Sequence, residues 1–469
     1  MQYIQIPVTN IRDSSKLSPI AVICSYFKIL FKNQKNGGNN MNNGKYEFLI
    51  VGSGAGGATL AKELSKKNKK VLVVEKGKYE QKIGTFQDSL RFYDGNKLTK
   101  VPKKSKEGVI LYRTIMAGGS TVVSYGNATR CLEEELADFG INLDEEFAEA
   151  ESEMNVLPID RKLLSEGSEK IMWASKELGY QMELMPKFIN PDKCKTCGQC
   201  SFGCAKDAKW TALNYLEEAK QNGIDIIYNT SAEQVLTENG KVKGIRGIGL
   251  QGEIEILSEV VILAAGGLGT PVILQQSGVK KSGSNLFVDL LVNTYGITEN
   301  INQINELTMA LIDHEFYKTK GFILSPHVNS SRMVRFIEMG IKGLSLPINR
   351  LIGIMNKISD ESIGHVYPDG TVSKPVTEKD WRKLKEGSSI ASEILIKAGA
   401  SPKSILVSKV QGGHPGGTAA IGTVVGKDLQ TEINNLFVCD ASVFPKAPGM
   451  PPILTITALG KWLAKILIP

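Results

Sequence analysis

The stretch 46–75 restricts the fold of this chain more than any other. It opens with a short apolar run, residues 48–51, that is bounded by glycine, as is typical of a buried parallel strand. Helix-forming residues follow at 58–64, and a second apolar run, 71–74, ends at an acidic residue. A strand, a glycine turn, a helix and a second strand in this order predict the first βαβ unit of a dinucleotide-binding domain.

Three glycines and one acid in this unit have separate predicted roles. Gly52 allows a tight turn, Gly54 lets a pyrophosphate approach the backbone, and Gly57 lets the helix pack closely on the strand. The helix N-terminus offers free N–H groups and the positive end of a dipole to the phosphates. Glu75 lies where a carboxylate accepts hydrogen bonds from an adenosine ribose. This order of parts favours a dinucleotide site over a glycine-rich turn in an ordinary α/β domain.

The bulk composition is that of a globular protein. The 469 residues are 42% hydrophobic and 22% charged, and they can form one large core or two to three domains. The net charge of +7 is modest, and much of it lies in a lysine run between residues 97 and 106. We interpret this run as solvated surface, with the docking of an acidic electron-transfer partner as the alternative. No nucleic-acid motif accompanies it, so no nucleic-acid partner is expected.

The N-terminal segment carries no sign of membrane insertion or export. Its most apolar stretch, 20–31, is interrupted by Lys28 and is too short to span a bilayer, and no cleavage site follows. Residues 33–43 are rich in Asn, Gly and Lys, and Met41 lies just before the first strand. Residues 1–43 are therefore expected to be a flexible tail or a mis-assigned start. The chain is expected to be cytoplasmic, with peripheral membrane contact through the short apolar piece as the alternative.

Four of the seven cysteines lie within eleven residues: Cys194, Cys197, Cys200 and Cys204. Paired disulfides do not produce such crowding, so an intracellular, reduced protein is expected. The spacing C-x2-C-x2-C-x3-C is that of bacterial ferredoxin loops and predicts an iron–sulfur cluster, with 4Fe–4S favoured over 3Fe–4S. Zinc is the weaker alternative, because zinc sites usually use two separated pairs. The fourth ligand is either Cys204 or a distant thiol such as Cys131 or Cys439.

Two further glycine-rich stretches are candidate site segments. Gly118, Gly119 and Ser120 form a flexible, donor-rich backbone that can lie against a flat ring or a phosphate, although alone such a stretch is only a turn. His414 lies within the glycine-rich residues 412–422. The other three histidines have no partner spacing and are interpreted as polar surface or core residues: His314, His327 and His365.

Several separated stretches together resemble the glucose–methanol–choline (GMC) family of flavoprotein oxidoreductases. They are residues 52–57 with Glu75, 117–121, 266–279, 414–418, 437–445 and 451–459, and they occur in the family's order. The resemblance implies an α/β fold with a Rossmann-type FAD-binding domain assembled from discontinuous segments. These segments are expected at 44–135, 212–290 and 405–469. Residues 136–211 would be an insert with the cysteine cluster, and 291–404 an inserted α+β substrate domain.

The resemblance also implies FAD as cofactor and hydride removal from a hydroxyl-bearing carbon, with His414 as base. It implies that Asp440 lies near the ribityl and phosphate groups, the backbone of Pro452 near the flavin's pyrimidine edge, and the backbone of Val235 near the adenine. The stretch 266–279 departs from the family's second signature at Gly267, and Lys280 departs just after it, and one further departure affects the catalytic groups. Pro451 stands where many members have Asn or His, and its side chain can neither donate nor accept a hydrogen bond. A second catalytic group is then missing or supplied from elsewhere.

Two functions are consistent with these patterns. The first is an FAD dehydrogenase that oxidises a small hydroxyl-bearing molecule and passes electrons through the cluster to an acceptor such as a ferredoxin, a quinone or a partner subunit. The second is an electron-transfer or assembly flavoprotein that keeps the fold but oxidises no alcohol. His414 favours the first, and Pro451 favours the second.

Overall fold

A computed structural model describes residues 46–95 and 102–468. The expected tail or mis-assigned start at 1–43 lies outside these residues, as do Lys97 and Lys100 of the lysine run.

In chain order the strands are β1 (Tyr46–Val51), β2 (Val71–Val74), β3 (Ile110–Leu111), β4 (Leu157–Pro158), β5 (Met182–Leu184), β6 (Pro186–Lys187), β7 (Asp225–Ile227), β8 (Ser231–Glu238), β9 (Lys241–Gly249), β10 (Gly252–Leu263), β11 (Leu290–Ile297), β12 (Leu311–Asp313), β13 (Phe322–Pro326), β14 (Leu351–Ile358), β15 (His365–Val366), β16 (Val372–Ser373), β17 (Leu406–Val407), β18 (Gln411–Gly412) and β19 (Leu436–Val438).

The α-helices are α1 (Ala55–Ser65), α2 (Phe86–Ser89), α3 (Glu133–Ala137), α4 (Asp144–Glu153), α5 (Glu166–Glu177), α6 (Ala212–Gln221), α7 (Thr270–Gln276), α8 (Glu315–Lys320), α9 (Glu378–Lys397) and α10 (Ile453–Leu467). A π-helical segment spans Met333–Glu338, and short 3-10 turns include Gly119–Val123 and Cys200–Phe202.

The first sheet is the predicted nucleotide-binding sheet. Strands β7, β2, β1, β10 and β19 pair in parallel, with β1 between β2 and the end of β10. The central strands are buried on both faces, as their continuous apolar runs require. The sheet therefore draws on segments from the beginning, middle and end of the chain, as predicted. Strand β10 links the two kinds of pairing in this sheet, since it leaves the antiparallel β9 hairpin and enters the parallel centre without a break.

The second sheet has the order β3-β18-β11-β14-β13-β12-β5, with β17 also paired to β11. Its centre is antiparallel, and helix α9 packs against β11, β13 and β14. Thr377 begins α9 with a capping box to Asp380. The four strands β3, β5, β17 and β18 come from outside residues 291–404. They are only two or three residues long, so no periodic pattern marks them in the sequence.

Two large hydrophobic cores support the sheets, and the first also includes residues of the second sheet such as Leu291 and Met355. One core joins β1, β2 and β10 to α1, α6 and α10, and a second lies between the β11–β14 strands and α9. None of the helices in the described part of the chain has the length and apolar character needed to cross a bilayer. The two sheets face a common cavity, which is described next.

Candidate active site

A cavity of about 660 Å³ lies where the parallel strands end. The carboxyl ends of β1, β2, β10 and β19 contribute one part of its wall, and side chains of β11 and β14 contribute another. Ligands of open α/β sheets bind in this position, beyond the carboxyl ends of the strands. We call the wall formed by the first sheet the nucleotide end, and the wall formed by the second sheet the substrate end.

The three glycines of the nucleotide end occupy positions that suit their predicted roles. Gly52 has φ +100°, and a Cβ on it would meet the Ala264 carbonyl oxygen at 2.4 Å. A Cβ on Gly57 would meet the Gly52 carbonyl oxygen at 2.0 Å, so helix α1 approaches β1 only because this residue lacks a side chain. A Cβ on Gly54 would meet no atom within 4 Å. Gly54 lines the cavity, so the space beside it is available to a ligand.

The carboxylate of Glu75 is buried in the cavity wall at the end of β2. Its Oε2 accepts hydrogen bonds from the N–H and the hydroxyl of Ser53, at 3.0 and 2.6 Å, and its Oε1 accepts from the Gly77 N–H at 2.7 Å. Burial raises the pKa of Glu75, and these donors oppose the rise. The acid is thus fixed in orientation beside the glycine turn, at the position predicted for a ribose ligand.

Asp440 and Pro452 bring the C-terminal part of the chain to the same cavity. Asp440 Oδ2 accepts from the Gly266 N–H and the Thr270 hydroxyl, at 2.8 and 2.6 Å, and this contact holds the turn after β10. Pro452 is the N-cap of α10, so the first N–H groups of that helix have no intrahelical acceptor and lie at the cavity wall. Gly119 and Ser120 also line the cavity.

Three of the residues predicted to bind FAD do not line the cavity. Val235 donates its N–H to the Ser277 hydroxyl at 2.8 Å, and the neighbouring residues 230–233 form the wall instead. Gly118 lies behind Gly119 with φ +80°, and Gly57 lies behind the glycine turn. The sequence shows that glycine is needed at positions 57 and 118. It does not show which residues of β8 reach the cavity, because that depends on exactly where the strand lies.

The residues at the nucleotide end fit FAD. The helix α1 N-terminus, the open space beside Gly54 and the buried acid Glu75 match a pyrophosphate and a ribose. The N-terminus of α10 matches an electron-rich ring edge, because its unpaired N–H groups are donors.

His414 is held at the substrate end by a buried acid that the sequence analysis missed. Asp289 Oδ2 lies 2.8 Å from His414 Nδ1, and Asp289 Oδ1 accepts from the Gly449 N–H at 2.8 Å. The Asp289 side chain is completely buried, and its backbone has φ +50°, a conformation that Asp tolerates. A lone acid within the apolar run 286–292 was the available signal for this residue.

The protonation of the pair suits proton acceptance at the cavity. Burial and the nearby Lys357 ammonium hold the pKa of His414 well below its usual value, so the imidazole is neutral. Burial raises the pKa of Asp289, and the Lys357 ammonium and the Gly449 N–H oppose the rise. An ionised Asp289 accepts a proton donated by Nδ1 and leaves the lone pair of Nε2 free.

Two further residues of the substrate end were not predicted. Lys357 on β14 is buried, lines the cavity, and lies opposite Leu291 in the β11–β14 register. His327 was interpreted as a surface or core residue, but it is a buried part of the cavity wall and packs edge-to-face on Tyr125. Burial lowers the pKa of His327 to about 3, and the Lys357 ammonium adds to the shift. Neither residue lies in a recognisable motif.

The four clustered cysteines share one loop between β6 and α6. The loop turns sharply, since four of its residues have positive φ: Thr196, Gly198, Gly203 and Asp207. The Ala208 N–H donates to the Cys204 sulfur at 3.3 Å. The pKa values of Cys194 and Cys200 are raised by burial, and the other cysteines of the loop contribute to the rise.

The loop does not form a ready metal site. No three histidine, cysteine or acidic side chains of residues 46–95 and 102–468 converge in a metal-binding arrangement. The two distant thiols lie elsewhere in the fold, Cys131 beside Thr455 of α10 and Cys439 beside Gly56 of α1. The donor set of four thiols is therefore chemically suitable for a cluster but is not preorganised.

Two buried lysines join the cysteine loop to the cavity wall. Lys209 donates to the Cys200 carbonyl at 3.1 Å and to the carbonyl of Ser124, which lines the cavity. Lys187 donates to the Tyr125 carbonyl at 2.9 Å, among other oxygen acceptors. Within the described ranges neither lysine has a carboxylate partner. Burial lowers the pKa of both, to about 7 for Lys187, and the nearby thiols oppose the shift.

One member of the predicted lysine run lies in the cavity wall rather than on solvated surface. Lys103 lines the cavity near Asp94, and burial lowers its pKa. Lys104 and Lys106 are exposed, as expected.

Profiles of one family match most of the chain. Residues 46–300 match the N-terminal profile and residues 364–460 the C-terminal profile of the family described as GMC oxidoreductase. An uncharacterised protein of Methanocaldococcus jannaschii is 33% identical over 89% of this chain and 98% of its own length. A long-chain-alcohol oxidase of Arabidopsis thaliana is 24% identical over 90% of this chain and 67% of its own length.

Solved structures share the fold. Pyridoxine 4-oxidase from Mesorbium loti superposes with a TM-score of 0.68 at 15% identity and covers 90% of this chain and 99% of its own. Formate oxidase of Aspergillus oryzae superposes with a TM-score of 0.69 at 16% identity, with coverage of 90% and 98%. A second sheet joined to a nucleotide-binding sheet is therefore the architecture of these oxidases as well.

Proposed function

Because this chain belongs to the GMC oxidoreductase family, we propose that it is an FAD-dependent dehydrogenase that oxidises a hydroxyl-bearing carbon. We propose further that electrons leave through a cluster bound by the four cysteines to an external acceptor such as a ferredoxin, a quinone or a partner subunit. The observation that carries the oxidation is the His414–Asp289 pair in the cavity wall.

In this proposal His414 is the general base. Asp289 holds the Nδ1 proton and the ring orientation, so Nε2 accepts the proton of a substrate hydroxyl. Loss of that proton builds alkoxide character on the oxygen, which expels a hydride from the same carbon and leaves a carbonyl. FAD, when bound, supplies the hydride acceptor. The neutral state of His414 supports this role, because an imidazolium could not accept the proton.

The cavity wall supports FAD as cofactor, through the glycine turn, Glu75, Asp440 and the N-terminus of α10. Pro451 contributes no side-chain donor, but its carbonyl accepts from the Thr129 hydroxyl at 3.0 Å and so fixes the start of α10. The proline at this position is thus compatible with a structural role beside the flavin's predicted edge.

The buried lysines support the cluster. A buried ammonium without a carboxylate partner is unfavourable unless another negative charge is near. Lys187 and Lys209 lie beside the cysteine loop, and a cluster with four thiolate ligands carries the missing negative charge. The loop also abuts the cavity: Ser201, next to Cys200, lines it, and the exposed Cys197 faces solvent. A cluster in this position could pass electrons from the cavity to an acceptor outside the protein.

Three measurements test the proposal. Denaturing the anaerobically purified protein and chromatographing the released nucleotide should yield FAD, and recovery of NAD without flavin would contradict the cofactor. Visible and electron paramagnetic resonance spectra of the same sample should show an iron–sulfur signal at about one cluster per chain. Anaerobic bleaching of the flavin by a panel of alcohols, sugars and hydroxy acids then tests the dehydrogenase activity, and a panel that leaves the flavin oxidised throughout contradicts it.

A further inference from the structure

Lys357 differs from every other buried lysine of the described chain. Five buried lysines end on oxygen acceptors 2.9–3.1 Å away: Lys62 on Glu153, Lys187 on the Tyr125 carbonyl, Lys209 on the Cys200 carbonyl, Lys374 on Asp360 and Lys461 on Glu153. Lys357 is equally buried, yet among residues 46–95 and 102–468 its ammonium has no hydrogen-bond acceptor and no close ion pair. Its side chain lines the cavity.

The nearest acid does not relieve this charge by contact. Asp289 attracts Lys357 electrostatically, but no hydrogen bond or close ion pair joins these two described side chains; the Asp289 oxygens instead contact His414 Nδ1 and the Gly449 N–H. Burial destabilises a cation that has no acceptor, and the Lys357 side chain lines the cavity. An anionic ligand group in the cavity supplies that acceptor.

The surrounding wall restricts what else the ligand contains. Strand alternation places Leu291, Asn293, Met355 and Lys357 on the same face of the second sheet, where Asn293 is the one neutral polar member. Met309 and Met333 also line the cavity. An apolar body therefore fits between a hydroxyl at His414 and an anionic group at Lys357. Methionines fill such a space adaptably, so chain length is less restricted than charge.

We propose that Lys357 binds the carboxylate of the substrate, which is accordingly an aliphatic hydroxy acid rather than a neutral alcohol. This inference rests on the proposed dehydrogenase function, whose substrate class it names. Lys357 is a specificity-determining residue in this account, while His414 remains the base. Lys357 on β14 thus supplies a side-chain donor at the substrate end, whereas the side chain of Pro451 supplies none.

The test compares matched ligands on the FAD-loaded protein. Hydroxyalkanoates should reduce the flavin anaerobically at concentrations at least about tenfold lower than alkanols or hydroxyalkanoate methyl esters of the same chain length. In Lys357→Met the half-saturating concentration for hydroxyalkanoates should rise at least about tenfold more than that for alkanols, since any change in the His414–Asp289 pair affects both substrate classes alike. Lys357→Arg, which keeps the charge, should retain the preference. FAD content and melting temperature of both variants verify that they fold.

A second measurement separates this inference from the proposed function. Plain alkanoates have no hydroxyl to lose, and they should still perturb the absorbance of bound FAD in the wild type but not in Lys357→Met. If alkanoates bind this way and no hydroxy acid bleaches the flavin, the dehydrogenase proposal fails while the carboxylate site stands. If alkanols and hydroxy acids reduce the flavin equally well, the inference about Lys357 is wrong. It is also wrong if Lys357→Met lowers the flavin potential and slows all substrates alike, since Lys357 then serves the reduced flavin.

Discussion

The two ends of the cavity are built from different kinds of constraint. At the nucleotide end, backbone geometry decides: Gly52 and Gly57 lack side chains because carbonyl oxygens lie 2.4 and 2.0 Å from the positions that a Cβ would take. At the substrate end, side-chain charge decides, through His414, Asp289 and Lys357. The backbone geometry of the nucleotide end is needed whatever the substrate is, whereas the charged side chains of the substrate end are expected to differ with the substrate.

The difference also appears in how the polar groups are satisfied. Glu75 and Asp440 at the nucleotide end each accept three hydrogen bonds from neighbouring backbone and hydroxyl donors. At the substrate end, the Lys357 ammonium and His327 Nδ1 have no hydrogen-bond partner among the described residues. Polar groups that are fully hydrogen-bonded at the nucleotide end suit a cofactor that stays bound. Polar groups without hydrogen-bond partners at the substrate end suit a ligand that binds and leaves.

The largest effect is expected from the glycines of the nucleotide end. Gly57→Ala forces a Cβ against the Gly52 carbonyl, so α1 must move away from β1 and flavin reduction should be abolished together with folding stability. Gly54→Ala is the matched variant, because its Cβ meets no atom and only a bound pyrophosphate would touch it. It should fold with a melting temperature close to that of the FAD-free wild type but bind FAD at least about tenfold more weakly. FAD quantitation measures the binding and calorimetry measures the melting temperature. A normal FAD content in Gly54→Ala would contradict a pyrophosphate site beside Gly54.

The next effect is expected at the base. His414→Ala should slow substrate reduction of the flavin by at least about a hundredfold, because a positioned base contributes roughly two to four orders of magnitude. FAD content and melting temperature should stay close to the wild type. Stopped-flow absorbance measures the rate. A variant that loses FAD and stability together shows a structural histidine instead, and an unchanged rate with full FAD removes His414 from the mechanism.

These two ends were not equally predictable from the sequence. The strand, glycine turn and acid of residues 46–75 were predicted at their observed positions. A buried parallel strand requires apolar residues, and a helix that packs closely on it requires glycine, so both can be recognised in the sequence. The parallel sheet assembled from distant segments followed from the same patterns. His414 was predicted by resemblance and lies in the cavity wall.

The partners of His414 could not be predicted, for physical reasons. Asp289, which contacts His414, directly precedes β11, and Lys357, which acts on its charge, lies on β14. Their places at the cavity depend on the register of these two antiparallel strands, because a one-residue shift would turn each side chain to the other face. Val235 shows the same limit: it lies on the predicted strand, but residues 230–233 reach the cavity. The cysteine spacing predicted a cluster without indicating the buried lysines beside it.

A smaller effect is expected from Asp289→Asn. The Gly449 N–H would hold the amide oxygen, so the amide nitrogen would face His414 Nδ1 and favour the tautomer with a proton on Nε2. The flavin reduction rate should fall about tenfold to fiftyfold with FAD retained.

The pH profile distinguishes this role from simple packing. Burial raises the pKa of Asp289, so in the wild type the rate should be present at high pH and be lost as pH falls through that raised pKa, well above the ordinary range of an aspartate. A protonated Asp289 donates to Nδ1 and places the ring proton on Nε2. Asp289→Asn should lack this acidic limb. If both proteins show the same limb, another group is responsible for it.

The smallest effect on flavin reduction is expected at the cysteine loop. Cys197→Ser with Cys200→Ser should remove most of the iron, because two thiolate ligands are lost, while the substrate reduces FAD within about twofold of the wild-type rate. Neither cysteine lines the cavity. Turnover with an external acceptor such as a ferredoxin or a quinone should instead fall steeply, because electrons can no longer leave the reduced flavin through the cluster. Cys439→Ser is the matched control, a buried thiol outside the loop whose change should leave iron unaffected. Full iron content and full dye-linked turnover in the double variant would show that electrons leave the cavity by another path.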